Sequence, residues 1–198
     1  FAQKIDSSRA FTVAISGGWE NGSGKTTQVM GYNYIVQGNI DEHHKNFPWQ
    51  SGIGTEESNT IGTRGVYVDD KANGRMAASN RMPENVGTES GWKFYAARPF
   101  LSGLFFWTGF DYRGEANPLV WPAVNSQFGI VDLCGFPKDI FYYLKSWWGK
   151  QPVMHIMPHW NWKGSEGKNI KVTIYSNAEE VELVLNKKSL GKKTMEKN

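Results

Sequence analysis

Two adjacent carboxylates interrupt an otherwise apolar and glycine-rich stretch, residues 52–67 (GIGTEESNTIGTRGVY). Glu56 and Glu57 follow a short strand-like approach and precede a polar loop. A carboxylate at the end of a buried strand is held rigidly by the strand and left accessible by the loop, so it can act as a nucleophile, a base or a ligand. An arbitrary Glu-Glu pair is more often a solvated part of a surface loop, and the rest of the chain decides between these interpretations.

A second candidate site is the segment 22–27 (GSGKTT), which ends like a phosphate-binding P-loop and follows a predicted strand. The motif requires a glycine five residues before Gly24, and that position is Trp19. An indole there would block the backbone N–H groups that bind a phosphate. Residues 29–36 are β-branched and aromatic, and they predict a strand rather than the helix that a P-loop uses. A nucleotide site is therefore the weaker alternative.

The histidines do not predict a metal site. His43 and His44 lie in a polar segment, residues 41–48, and adjacent side chains point in different directions on most backbones, so we expect one loop histidine near a cleft. His155 and His159 could share a metal only on a helix, which Pro158 argues against.

The composition is that of a folded chain with many aromatic side chains. Of 198 residues, 39% are apolar and 14% aromatic, which is enough to bury a core and excludes a disordered chain. Aromatic rings also suit carbohydrate, because the apolar face of a pyranose stacks on an indole or phenol, although most of these rings must belong to the core. The single cysteine, Cys134, excludes an internal disulfide.

The net charge of +3 is small, and much of it lies near the C-terminus at Lys187, Lys188, Lys192, Lys193 and Lys197. No aromatic residue is interleaved with these lysines, so a solvated tail is favoured over a nucleic-acid-binding patch. Apolar runs fall short of the ~18 residues that a membrane-spanning helix needs, so no membrane partner is expected.

Strand and helix signals alternate over the first 150 residues. Strands are predicted at residues 11–16, 29–36, 51–55 and 101–107. A helix is predicted at 88–97, and the aromatic segment 140–148 is a last helix or an aromatic plug. Strands separated by such connections indicate parallel pairing and an α/β fold.

The pattern changes near residue 150. Two alternating strands, 169–175 and 181–185, are separated by a Ser-Asn turn signal, and residues 186–191 predict another turn. These segments predict the opening strands of a β-sandwich.

Four strings in chain order resemble glycoside hydrolase family 2, in particular its bacterial β-galactosidase branch. They are GYNY at 31–34, GTEES at 54–58, WTGFDYRGE at 107–115 and FGIVDLCGFPKD at 128–139. The last two are long enough to be specific, and the resemblance covers nearly the whole chain. It implies the C-terminal half of a (β/α)8 TIM barrel in residues 1–150, followed by the first strands of an immunoglobulin-like β-sandwich in residues 151–198.

The family hydrolyses β-glycosides with retention: one carboxylate attacks the anomeric carbon and another protonates the leaving oxygen. By resemblance Glu56 is the nucleophile. Glu57 is the rival, although the residue after a strand's last inward position points away. The family's acid/base residue lies in an Asn-Glu pair, which this chain lacks, and the matching segment is expected just before Phe1.

The resemblance also implies substrate-binding residues, namely Asn33, Tyr34, Trp107, Asp111 and Glu115. The Tyr34 hydroxyl is expected to bond the nucleophile, and Trp107 to form the floor of the sugar site; a core position is the alternative for each. Asp111 and Glu115 are expected to hold sugar hydroxyls, unless one of them pairs with Arg113.

The sequence thus predicts a fragment of a retaining, exo-acting β-glycosidase that hydrolyses terminal β-galactosides without cofactor or metal. Expected partners are carbohydrate and either a second copy or the missing N-terminal half of the barrel, because both chain ends look cut. A non-catalytic carbohydrate-binding or structural fragment is the alternative, since the acid/base residue is missing. The resemblance implies a periplasmic or secreted location, and a cytoplasmic one stays open.

Overall fold

The computed structural model describes residues 1–78 and 86–195. The chain divides into two compact units. The first unit comprises Phe1–Ile61 and the described part of Ser79–Gly109, and the second comprises Gly62–Ala78 and the described part of Phe110–Asn198. The division into residues 1–150 and 151–198, which follows the resemblance, stays a prediction.

The first unit is built on a four-stranded parallel sheet with helices in its connections. Its strands, in their order across the sheet, are β1 (Ala14–Ile15), β2 (Val29–Asn33), β3 (Ser51–Glu57) and β4 (Leu101–Phe106). Its described helices are α1 (Ala2–Ile5), α2 (Ile40–Asn46) and α3 (Thr88–Ala96). Neighbouring strands run parallel, so all four place their carboxyl ends at one edge of the sheet. The predicted α/β character with parallel strands is confirmed for this unit.

A core of large side chains holds the helices against this sheet. It contains Trp19, Met30, Tyr32, Ile40, Tyr95 and Leu101. Gly54 on β3 permits the close approach of α3, because a Cβ at this position would lie 2.6 Å from the Tyr95 hydroxyl. The glycine therefore lets a buried hydroxyl reach the end of β3.

The expectation of a loop at residues 41–48 was wrong, because α2 occupies most of this segment. The Asn39 side chain accepts a hydrogen bond of 3.1 Å from the Glu42 N–H and so caps the first turn. Ile40 and His43, three residues apart on one helix face, are buried. His43 is thus a core residue, with its Nδ1 2.8 Å from the Tyr32 hydroxyl.

The second unit combines a helix with antiparallel strands. Its elements are α4 (Asp139–Trp148), β5 (Met154–Met157), β6 (Thr173–Ser176), β7 (Glu180–Leu185) and β8 (Lys188–Thr194). β5 pairs with β6, and β7 pairs with β8. The helix packs on the first pair through Tyr143 and Tyr175, whose rings are 5.4 Å apart, and through Tyr142, which stacks on His155. The helix predicted at residues 140–148 is confirmed.

The turn predicted at residues 186–191 is shorter in the structure. Only Asn186 and Lys187 form it, with φ values of 48° and 65°, and β8 begins at Lys188. Positive φ at both positions is typical of two-residue hairpin turns that match the twist of their strands. The lysines expected in a solvated tail are exposed on this turn and strand, and Lys197 lies outside the described residues.

Candidate active site

The carboxyl edge of the sheet brings together four of the predicted site residues. In the register of β2 and β3, Asn33 lies opposite Glu56, and the Tyr34 N–H donates to the Glu56 carbonyl oxygen at 2.9 Å. The Trp107 N–H, directly after β4, donates to the Glu57 carbonyl oxygen, also at 2.9 Å. This clustering is what the resemblance implies, while the roles of the four residues stay predictions.

Glu56 presents a half-buried carboxylate at this edge. The carboxylate accepts a hydrogen bond from the Tyr34 hydroxyl. The neighbouring Asn33 side-chain oxygen accepts one of 2.7 Å from the Thr55 hydroxyl. Glu56 is therefore oriented by a tyrosine and only partly covered, which is the environment that an attacking carboxylate needs.

Glu57 has the opposite environment, since its side chain is 0% exposed. One carboxylate oxygen accepts from the Ser58 N–H at 2.9 Å and the Ser58 hydroxyl at 3.0 Å. The other accepts from the Ile35 N–H at 2.8 Å and the Tyr95 hydroxyl at 3.3 Å. Burial raises the pKa of the Glu57 carboxyl, and these hydrogen bonds oppose the rise. A carboxylate enclosed in this way cannot reach a substrate without moving.

Asp111 and Glu115 belong to the second unit. Asp111 is buried, and one of its oxygens accepts from the Lys138 ammonium at 2.7 Å and the Gly129 N–H at 2.8 Å. Burial raises the pKa of Asp111, and the Lys138 charge opposes this. Glu115 is exposed and accepts from the Tyr112 hydroxyl at 2.6 Å. Asp111 therefore forms its ion pair with Lys138 rather than with Arg113.

Asp111 also lines a cavity of about 340 Å³ in the second unit. Arg64 and Asp132, which form an ion pair of 2.6 Å, lie on its wall. Small-molecule pockets in proteins have volumes from roughly 300 Å³ upward. The cavity therefore has room for a ligand of the size of one sugar.

Sequence reasoning missed three residues that organise these groups: Ser58, Tyr95 and Lys138. Tyr95 carried a usable signal, because a tyrosine on the apolar face of a predicted helix needs a partner for its hydroxyl once it is buried. Lys138 lies in the string that marks the family resemblance, but its partner Asp111 is distant in the sequence. Ser58 had no separate signal.

The GSGKTT segment does not have the geometry of a phosphate loop. Gly22–Lys25 forms a 3₁₀ helix, and β2 follows it. Trp19 is buried, and its indole N–H donates to the Ile15 carbonyl oxygen at 3.0 Å. The Gln50 amide donates to the Gly24 carbonyl oxygen at 2.7 Å. The loop is thus fastened to the core.

Titration calorimetry with ATP and Mg²⁺ is therefore expected to show no saturable binding by the purified chain. The N–H groups of Gly24, Thr26 and Thr27, which a phosphate would need, donate to carbonyl oxygens of residues 21 and 23 in local turns. The Lys25→Ala variant is the control and should give the same trace. A micromolar site that disappears in Lys25→Ala would revive the nucleotide alternative.

Residues 1–78 and 86–195 contain no group of three or more His, Cys, Asp or Glu side chains placed to bind a metal ion. None of the helices in these ranges has the length and apolar composition to cross a membrane.

Known proteins resemble this chain in sequence and in structure. It is 40% identical over 184 residues to the β-galactosidase BoGH2A of Bacteroides ovatus, a match that covers 83% of this chain and 21% of that protein. A solved family 2 glycosyl hydrolase from Bacteroides cellulosilyticus has a TM-score of 0.66 at 25% identity, over 97% of this chain and 26% of that one. The chain belongs to glycoside hydrolase family 2.

Other matches to this family 2 chain bear different names. A solved β-glycosidase from Bacteroides vulgatus has a TM-score of 0.82 at 29% identity, covering 99% of this chain and 29% of that one. A β-glucuronidase of Bacteroides fragilis is 28% identical over 182 residues, 88% of this chain and 24% of that protein. The model of a domain of unknown function, DUF4982, matches residues 167–198. The mixed α/β fold thus resembles parts of family 2 enzymes, and the chain spans 21% of the B. ovatus relative.

Proposed function

We propose that this chain is part of a retaining, exo-acting β-glycosidase in which Glu56 is the nucleophile. One observation carries the proposal: Glu56 is a half-buried carboxylate at the carboxyl edge of a parallel sheet, and it accepts a hydrogen bond from a tyrosine hydroxyl. Glu57, the rival nucleophile, is enclosed by four donors. The names of the family 2 relatives support the reaction class.

In the proposed reaction the Glu56 carboxylate attacks the anomeric carbon, and the bond to the aglycone oxygen breaks. That oxygen takes a proton from the acid/base residue, which we place in a segment preceding Phe1. Water, deprotonated by the same residue, then displaces Glu56, so two inversions retain the β configuration. The hydrogen bond from the Tyr34 hydroxyl orients the Glu56 carboxylate and fixes which of its oxygens attacks.

We further propose that residues 1–150 are the C-terminal half of a (β/α)8 barrel and that residues 151–198 begin an immunoglobulin-like sandwich. The four parallel strands follow one another across the sheet in chain order, as barrel strands do. The antiparallel strands β5 to β8 all lie after residue 150, as a separate sandwich domain requires. Trp107, Asp111 and Glu115, on the segment after β4, are the proposed sugar-binding residues with Asn33 and Tyr34.

The proposed substrate is a terminal β-galactoside, because the B. ovatus β-galactosidase is 40% identical over 83% of the chain, whereas relatives named as β-glucuronidases match at 28% identity over 88% of the chain or at 42% over only 54% of it. The test uses the full-length product of the gene that contains this chain, with 4-nitrophenyl β-galactoside, β-glucuronide and β-mannoside. We expect kcat/KM to be at least about tenfold higher for the galactoside, and the first product to be the β anomer by NMR.

Each outcome of this assay has a distinct meaning. A preference for the glucuronide would change the sugar and keep the mechanism. An α anomer as first product would exclude a retaining enzyme. Absence of turnover on all three substrates, with retained binding of a sugar, would favour the alternative of a non-catalytic carbohydrate-binding fragment.

A further inference from the structure

The conformation of Tyr34 requires support from its surroundings. Its φ of 59° and ψ of 111° lie outside the regions that bulky L-residues normally adopt. Such a conformation persists only where neighbouring contacts hold it. Tyr34 follows the last residue of β2, and its side-chain hydroxyl donates a hydrogen bond to the Glu56 carboxylate.

The two residues Glu56 and Glu57 bind the peptide groups on either side of Tyr34. The Tyr34 N–H donates to the Glu56 carbonyl oxygen at 2.9 Å. The Ile35 N–H, on the other side, donates to the Glu57 carboxylate at 2.8 Å. The first contact is a strand hydrogen bond that any residue at position 56 would make. The second depends on the side chain of Glu57.

The Glu57 carboxylate is itself firmly placed. It is 0% exposed, and its other oxygen is held by the N–H and the hydroxyl of Ser58. Burying a carboxylate is unfavourable unless donors surround it, and an apolar side chain would fill this space at less cost. A buried carboxylate that receives the Ile35 N–H therefore needs a reason beyond packing.

We propose that Glu57 is a positioning residue of the glycosidase site, which fixes the peptide after Tyr34 and so directs the Tyr34 hydroxyl onto Glu56. The inference rests on the proposed function of Glu56. Successive strand residues point to opposite faces, so the neighbouring glutamates divide two tasks. Glu56 meets the substrate, and Glu57 holds the tyrosine that orients Glu56.

A double-mutant cycle in the full-length gene product tests this role. Tyr34→Phe removes the hydroxyl, Glu57→Gln disturbs the acceptor of the Ile35 N–H, and the third variant combines them. Misplacement of a catalytic group by about 1 Å can cost on the order of 10²-fold, so we expect each single change to lower kcat by roughly 10- to 100-fold with little change in KM. If Glu57 acts through Tyr34, Glu57→Gln should lower kcat less than about threefold further in the Tyr34→Phe background.

Tyr32→Phe is the matched control. It removes another buried hydrogen bond in the same core, that between the Tyr32 hydroxyl and His43, and leaves the Glu57 contacts in place. Its effect on kcat should be small, and it should multiply with that of Tyr34→Phe. Multiplicative effects of Glu57→Gln and Tyr34→Phe would overturn the proposal, because they would show that Glu57 acts independently of the tyrosine.

A variant that does not fold and a wild type that is inactive each need a separate experiment. If Glu57→Gln does not fold, as judged by circular dichroism, the cycle is repeated with Glu57→Asp, which keeps the charge but is shorter by one methylene. Failure of both variants to fold would assign Glu57 to the core alone and overturn the proposal. Wild type and Glu56→Gln are assayed in parallel: an inactive wild type refutes the proposed function, whereas an active wild type with a multiplicative cycle refutes only the role of Glu57.

Discussion

Replacing Glu56 by glutamine in the full-length gene product is expected to lower kcat by roughly 10⁴- to 10⁶-fold, the range seen when an enzyme loses its nucleophile. The amide keeps the size of the side chain and can still accept the Tyr34 hydrogen bond. It cannot form the glycosyl ester, because it lacks the negative charge and nucleophilicity of the carboxylate. Steady-state assay with an aryl β-galactoside measures the loss, and circular dichroism checks that the fold is retained.

Glu57→Gln is the matched control for this experiment, because the same chemical change is made one residue away. Its expected loss, roughly 10- to 100-fold, is far smaller than that of Glu56→Gln. If Glu57→Gln lowered kcat more than Glu56→Gln, the nucleophile would be Glu57, and the assignment of the nucleophile within GTEES would be wrong by one residue.

The product formed with azide gives an independent check on the role of Glu56. In Glu56→Ala, azide can occupy the space of the lost carboxylate and attack the anomeric carbon of an activated aryl β-galactoside. A single displacement inverts the configuration, so the product should be the α-galactosyl azide. A β-azide would instead identify Glu56 as the acid/base residue.

The parallel strands were predictable because each is apolar and bounded by clear breaks. β2, β4 and the first five residues of β3 coincide with short runs rich in apolar side chains and glycine, and Pro99 separates α3 from β4. Parallel strands that are covered on both faces are nearly uniform in polarity, and β4 keeps this apolar pattern although Ser102 and Phe105 are exposed in the described chain. The element type follows from the residues alone at these positions.

Helix α2 and strand β8 were missed because neither has a continuous apolar face. Only Ile40 and His43 are buried in α2, and every residue of β8 is exposed. A cap was available as a signal for the helix, since Asn39 and Glu42 have the spacing of a capping box. For β8 the signal was Asn186, an asparagine that tolerates the positive φ of a hairpin turn.

The position of Glu56 at a strand end could be predicted from local sequence, but the contacts that distinguish it from Glu57 could not. The Ile35 N–H and the Tyr95 hydroxyl come to Glu57 from a neighbouring strand connection and from α3. Whether these two donors reach Glu57 depends on the register of β2 and β3 and on the close approach of α3 to β3 at Gly54. Such long-range pairings follow from the packed fold and have no pattern in a single stretch of sequence.

The 198-residue chain on its own is expected to be inactive and to self-associate. General acid catalysis contributes roughly 10²- to 10⁴-fold, and the proposed acid/base residue lies outside the chain. In the described part of the chain β1 and β4 are the outer strands of the parallel sheet. Outer strands with unpaired backbone groups recruit other chains, and Phe105 on β4 adds an apolar side chain that is 65% exposed.

Multi-angle light scattering on the purified chain tests the association, and a chromogenic β-galactoside tests the activity. We expect a mass that rises with concentration above the monomer value of 22.4 kDa, and turnover at the level of the buffer blank. Phe105→Lys is the control: a charge on the outer strand should reduce association without restoring activity.

Co-expression with the preceding part of the gene as a separate polypeptide should restore turnover, because the second half of the barrel would supply both strand partners and the acid/base residue. A monomer with high turnover would contradict the proposal and would place the acid/base residue inside these 198 residues. Glu115, an exposed carboxylate on the segment after β4, would then be the first residue to replace.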